Sequence, residues 1–234
     1  LRIDGLDNIA IPTTIRISPS VTTEERPARW QEKIADLLAG QGYQEILTNS
    51  ITNGAYYNEK ESNELVRMIN SLSQELDVMR PRLLETSLEV VAHNLNHKNG
   101  SLRLFEFGKT YHKKGEKFIE KRHLALYMTG LSEGETWSHA PQKSQLHQLY
   151  AQVIATMKQL GVSQFDTSVI EQSNVFAYGL TITVNKKACV SLGLVHPKLA
   201  QQFDVKQEVF MADFDWDFWV KQEKGNFVYQ EISK

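Results

Sequence analysis

Two hairpins constrain this chain more than any other feature. Residues 102–111 read as a strand, Lys113-Lys114-Gly115-Glu116 supplies turn chemistry, and 123–129 returns as an antiparallel partner. The pattern repeats at 175–184 and 188–195, joined through Asn185-Lys186-Lys187. Further strands are expected at 166–170 and 209–214, and at 43–52 with Tyr43, Leu47 and Ile51 on one face. Helices arrive separately from the strands. Trp30, Ile34, Leu37 and Leu38 recur at the spacing of one helical face. Thr22 with Glu25 forms a capping-box pattern ahead of them, Pro27 suits a first turn, and Gly40 and Gly42 end the run. A second stripe, Leu84, Leu88, Val91 and Leu95, predicts a helix over 81–95. A third, Leu146, Leu149, Tyr150, Val153, Met157 and Leu160, predicts one over 143–160, closed by Gly161. A short helix is expected from Pro197. Hairpin-linked strands with separate helices are an α+β pattern: an antiparallel sheet flanked by helices.

The remaining segments are less regular. Residues 1–21 read as a connector, with Ile9-Ala10-Ile11 extended ahead of Pro12. Residues 53–80 are polar apart from a patch at 65–69, and 131–142 read as a polar loop. Apolar residues make up 41% and charged residues 23% of the 234, so the core is large enough to be stable without disulfides or metals. The net charge of −2 argues against a chain that grips phosphates mainly by its own charge. The single cysteine, Cys189, lies in an apolar run and reads as a small buried hydrophobe in a reducing, cytoplasmic setting. No apolar run approaches the length needed to span a bilayer, and Arg2, Asp4 and Asp7 are at odds with a secretory leader. A start at Leu1 and an end at Ser233-Lys234 lead us to expect a piece of a longer protein.

Several motifs suggest chemistry and then fail a requirement. Gly130-Leu131-Ser132-Glu133-Gly134 matches a nucleophile elbow, which needs a helix immediately after it; here a polar loop follows. Asp213, Asp215 and Asp217 alternate like the start of a calcium loop, but Phe218 and Lys224 stand where Gly and Glu are required. They read as the solvated end of a strand. His93 and His97 share a helix face without a third ligand, and read as a solvent-facing pair. Asn99-Gly100-Ser101 is a sequon that means only a turn. Lys109, Lys113, Lys114, Lys117, Lys121 and Arg122 concentrate on one hairpin, against Glu116 and Glu120. They are the candidates for contact with an RNA backbone, the alternative being a solubilising hairpin tip.

Several stretches, in order, resemble the bacterial-type phenylalanyl-tRNA synthetase beta subunits. Arg2-Ile3-Asp4-Gly5-Leu6-Asp7-Asn8-Ile9 resembles the end of the small domain ahead of that family's core, with Asp4 where Tyr or His is more usual. Gly42-Tyr43-Gln44-Glu45-Ile46-Leu47-Thr48-Asn49-Ser50 is similar to the strand after its first helix. Asn70-Ser71-Leu72-Ser73-Gln74-Glu75-Leu76-Asp77-Val78-Met79-Arg80 matches an N-P-L-S-x-E-x-x-x-M-R pattern. Asn94-Leu95-Asn96, Leu104-Phe105-Glu106-Phe107-Gly108-Lys109-Thr110-Tyr111 and Gly193-Leu194-Val195-His196-Pro197 follow in family order. Tyr229-Gln230-Glu231-Ile232-Ser233-Lys234 resembles the opening of an anticodon-binding domain. The order and spacing of the set, more than any one motif, make the resemblance specific.

The resemblance implies a class II synthetase-like core over 22–226, followed by the start of another domain at 227–234. It implies a catalytic alpha subunit as partner in an (αβ)₂ assembly that charges tRNA(Phe) using ATP and Mg²⁺. The first helix and its strand would be the motif 1 counterpart that builds the subunit interface, with Trp30, Ile34, Leu37 and Leu38 as candidates there or in the adjacent core. Adenylate formation needs positive charge and Mg²⁺ at the phosphates. Active class II enzymes supply an arginine and an acid after the motif 2 strand, and another arginine in a Gly-rich motif 3 helix. Here the motif 2 counterpart is Tyr111-His112-Lys113-Lys114 and the motif 3 counterpart runs through Asp215-Trp216-Asp217-Phe218-Trp219. The expectation is a core with no catalytic residue, cofactor site or metal site of its own. The rivals are a free-standing class II-like ligase and an autonomous RNA-binding module.

Overall fold

A computed structural model describes residues 25–221, apart from 72, 74, 135, 136, 139 and 172, together with 8 and 14. The expected connector motifs, the capping pattern at Thr22 and the segment at 227–234 lie outside the described residues, except for Asn8.

The first helix, α1 (Glu25–Gly40), buries Ile34 and Leu38 completely and ends in a Schellman motif. Gly42 adopts φ +82°, the N–H of Tyr43 donates to the Leu38 carbonyl at 3.0 Å, and Gly42 donates to Ala39 at 3.0 Å. Tyr43 and Leu38 then join one apolar cluster. The predicted strand at 43–52 is not continuous. Only β1 (Gln44–Glu45) and β2 (Ile51–Thr52) are extended pairs, and Leu47, expected to share a face with Tyr43 and Ile51, is 91% exposed while Tyr43 is buried. Between them Thr48 hydrogen-bonds a buried acid described below, and β2 belongs to a separate three-stranded sheet with the strands at Val78–Met79 and Val66–Arg67.

A 3-10 turn at Gly54–Tyr56, α2 (Glu59–Ser62), β3 (Val66–Arg67) and β4 (Val78–Met79) organise the segment expected to be irregular. Next come α3 (Leu84–Asn96) and the long hairpin of β5 (Leu102–Lys114) and β6 (Lys117–Thr129). Gly115 at φ +62°, followed by Glu116, is the glycine-first arrangement of a two-residue type II′ turn. The loop expected at 131–142 holds a small ladder, β7 (Leu131–Glu133) against β8 (Gln142–Lys143). Then follow α4 (Leu146–Gln159), β9 (Asp166–Ile170), β10 (Phe176–Val184), β11 (Lys187–Val195), α5 (Pro197–Gln201), β12 (Val209–Asp215) and α6 (Trp216–Lys221). The turn before β11 is Asn185-Lys186, both at positive φ, so Lys187 belongs to the strand.

Seven strands form the main sheet in the order β1-β5-β6-β12-β11-β10-β9, antiparallel except where β1 runs parallel to β5. Alternation along the strands divides two cores. One face packs Phe105, Leu124, Leu126 and Phe214 against α1, α4 and α6. The other packs Leu104, Tyr127 and Met211 against α3 and α5. The α+β expectation and the flanked antiparallel sheet both hold.

Candidate functional site

A cleft beside the hairpin, reached by Gln31 of α1 and Trp216 of α6, gathers several polar groups. It measures about 230 Å³ and is lined by Thr48, Ser50, Arg80, Lys109, Arg122, His123 and Trp216 among others. Its floor is a buried ion pair. Arg80, 2% exposed, meets the fully buried Glu106 at 2.9 Å. The Arg80 guanidinium also donates to the Lys109 carbonyl at 2.9 Å and to the Thr48 hydroxyl, and that hydroxyl donates to Glu106 at 2.9 Å. Room for the guanidinium comes from Gly108, where a Cβ would meet Arg80 at 2.5 Å and Leu83 at 2.6 Å. Sequence reasoning quoted Arg80, Glu106 and Gly108 within motifs but gave them no role. A Glu and a Gly inside an otherwise apolar strand were the available signal.

The other guanidinium of the cleft is engaged too. Arg122 pairs with Asp217 at 2.8 Å, and its backbone N–H donates to the same carboxylate at 2.9 Å. Partial burial raises the Asp217 pKa, but these Arg122 contacts outweigh it and hold the carboxyl below its ordinary range. His123 donates to Asp213 at 2.8 Å; burial disfavours its proton, and the Asp213 carboxylate more than restores it, so its pKa is raised. Asp215 accepts from the Phe218 N–H at 3.0 Å, capping α6, and pairs with Lys187 at 3.1 Å. Asp213, Asp215 and Asp217 are therefore three tethered acids, which corrects their reading as a solvated strand end.

The segments 111–114 and 215–219 are tied into the fold. Tyr111 donates its N–H to the Arg80 carbonyl at 3.0 Å and Lys113 to that of Glu64 at 2.8 Å, which fastens the hairpin edge. Half-buried His112 has its pKa lowered, first by burial and then by the charge of Lys121. Trp216 is buried with its ring edge-to-face on Phe107 at 4.8 Å, and Phe218 stacks likewise on Trp219 at 5.3 Å. Sequence reasoning did not assign α6; Asp215 as its cap was the missed signal.

The predicted site residues separate. Ile34 and Leu38 lie inside the chain's own core, while Trp30 and Leu37 pack against it half-buried. Of the six basic residues, Lys109 is bound to Glu120 at 2.8 Å and Arg122 to Asp217. Lys113, Lys114, Lys117 and Lys121 are exposed at the hairpin's end. Ser132 donates to the Gln142 carbonyl at 3.2 Å from a strand, with no helix following, so no nucleophile elbow exists. His97 donates to the His93 carbonyl at 2.8 Å, and no group of three His, Cys, Asp or Glu able to hold a metal occurs among the described residues. Cys189 is buried, its thiol pushed up to about 11 by desolvation. No helix among the described residues is long and apolar enough to cross a membrane.

Comparison with known proteins fits this geometry. A family model described as the phenylalanyl tRNA synthetase beta chain CLM domain matches residues 11–216. The chain is 37% identical to the phenylalanine–tRNA ligase beta subunit of Bacteroides thetaiotaomicron, over 100% of its own length and 30% of that protein's. It is 31% identical to that of Porphyromonas gingivalis, over 93% of its length and 28% of the relative's. It thus spans about 30% of the length of the first of these relatives. Among solved structures, pyrrolysyl-tRNA synthetase from Desulfitobacterium hafniense superposes with a TM-score of 0.65 at 15% identity, covering 83% of this chain and 68% of that one. A second structure of that synthetase gives 0.64 at 18% identity, over 85% and 70%. This likeness establishes the fold as that of a class II aminoacyl-tRNA synthetase core. With that fold, the match over 11–216 and the full-length likeness to beta subunits, the chain belongs to the phenylalanyl-tRNA synthetase beta chain CLM domain family.

Proposed function

We propose that this chain is the non-catalytic core of a phenylalanine–tRNA ligase beta subunit. It supports an (αβ)₂ assembly and helps to position tRNA(Phe) for ATP-dependent aminoacylation carried out by the alpha subunit. One observation carries the reading: both guanidiniums of the cleft are held by carboxylates of the chain itself, Arg80 by Glu106 and Arg122 by Asp217. Adenylate formation needs cations that are free to meet a triphosphate as charge develops on it. Trp216 and its neighbours supply apolar rings where the resemblance places motif 3. The residues present do not fit an ATP–Mg²⁺ site, and no chemical step is assigned to them. What remains is a scaffold with the synthetase shape, for which α1 offers the half-buried Trp30 and Leu37 to a neighbouring subunit.

Co-expression with an alpha subunit tests this. The wild-type chain is expected to co-purify with it, and the isolated chain to show no phenylalanine-dependent ATP–pyrophosphate exchange. Trp30→Asp or Leu37→Asp is expected to abolish co-purification while the isolated chain keeps a cooperative thermal melt. Unchanged assembly refutes the interface reading, and exchange by the chain alone favours a free-standing ligase.

A further inference from the structure

The end of the long hairpin carries a surface that the assembly reading, on which this inference rests, does not by itself define. The β6–β12 ladder stops at Asp215↔His123, so residues 109–122 continue as a two-stranded ribbon. Opposed residues of an antiparallel pair share a face, and faces alternate along the strand. Lys114 opposes Lys117 and Thr110 opposes Lys121, which places three lysines on one face with His112 between them. Lys113 opposes Phe118 on the other face. None of these four lysines forms an ion pair among the described residues, in contrast to Lys109 and Arg122. The pKa of His112 is lowered first by burial and then by the charge of Lys121 on the same face. Phe118 is 69% exposed at the very end of this ribbon. A hairpin end built only for solubility has no use for it, and a single exposed ring, with Lys113 opposite it and the other three lysines on the reverse face, gives an apolar protein partner little to bury.

We infer that the hairpin tip grips an unpaired stretch of RNA. Phe118 stacks on one base, and Lys113, Lys114, Lys117 and Lys121 meet the flanking phosphates. Every base has a π-face, so this contact requires an accessible strand and no particular sequence. Lys109 and Arg122 are excluded from it because Glu120 and Asp217 already hold them.

The test uses the assembled ligase, full-length beta subunit with its alpha subunit, and its tRNA(Phe). Phe118→Ala is expected to weaken tRNA binding about tenfold, the scale of one lost stacked base, with the salt slope unchanged. Phe118→Tyr restores it. Replacing Lys114, Lys117 and Lys121 by Gln is expected to flatten the dependence of log affinity on log salt by about 2, near 0.7 per phosphate contact. Lys109→Gln leaves both quantities alone. Phenylalanine-dependent ATP–pyrophosphate exchange is unaffected throughout. Wild-type tRNA affinity in Phe118→Ala overturns the inference, and so does loss of subunit co-purification in that variant, which would make the tip a protein contact. If the wild-type subunits do not assemble at all, the assembly reading falls and takes this inference with it.

Discussion

The two ends of one hairpin treat positive charge in opposite ways. Near its base, Arg80 and Arg122 sit within 3 Å of Glu106 and Asp217, and their charge is spent on holding strands, the first turn of α3 and α6 together. At its tip, Lys114, Lys117 and Lys121 are exposed and form no ion pair among the described residues. A guanidinium that already has its carboxylate cannot also stabilise a transition state, whereas a solvated ammonium is free to meet a phosphate. The contrast separates charge that is tied into the fold from charge left exposed at the hairpin's end.

The comparison can be broken most forcefully at the base. Arg80→Leu leaves Glu106 buried and unpaired, and is expected to cost about 3–5 kcal/mol of unfolding free energy by urea denaturation. The double variant Arg80→Leu/Glu106→Leu is expected to be clearly more stable than that single one; equal stability would show that the pair is not the unit assumed here. A smaller effect tests the His123–Asp213 pair. His123 has a raised pKa in the folded chain, so its contribution is fully present below the unfolded value near 6.5 and is lost as pH rises through the folded value. The stability advantage of wild type over Asp213→Asn should therefore shrink between pH 5.5 and 8.5; a constant difference would remove the linkage. His112 has the opposite sign, its lowered pKa withdrawing stability as pH falls through 6.5, which is why the comparison needs the variant and not wild type alone. The smallest effect sharpens the tip. Lys121→Gln should move the His112 imidazole titration, followed by NMR, upward toward its ordinary value, whereas Lys109→Gln, removing a charge that Glu120 already balances, should leave it in place.

Much of the fold was legible in the sequence because its signals are local. The 102–129 hairpin announced itself through Gly115, and α3 and α4 through apolar stripes that the structure buries at Leu84, Leu88 and Val91 and at Leu149, Val153 and Met157. What was lost depends on distant partners. Leu47 was expected to share a face with Tyr43, but it is exposed while Tyr43 is buried, next to a Thr48 that binds Glu106, 58 positions away. The candidate site suffered most. Six basic residues near one another in sequence looked like a single patch. The strand pleat and two carboxylates, one of them 95 residues from Arg122, divided it. A charge can be read from sequence, but whether it is already spent cannot.

Gly108 ties the floor of the cleft together in a further sense. Any side chain there collides with the Arg80 guanidinium, and moving Arg80 strands Glu106. Positions 80, 106 and 108 are therefore coupled, and a change at Gly108 is felt at both charges. The buried charge pair is in that respect held in place by a residue with no side chain at all.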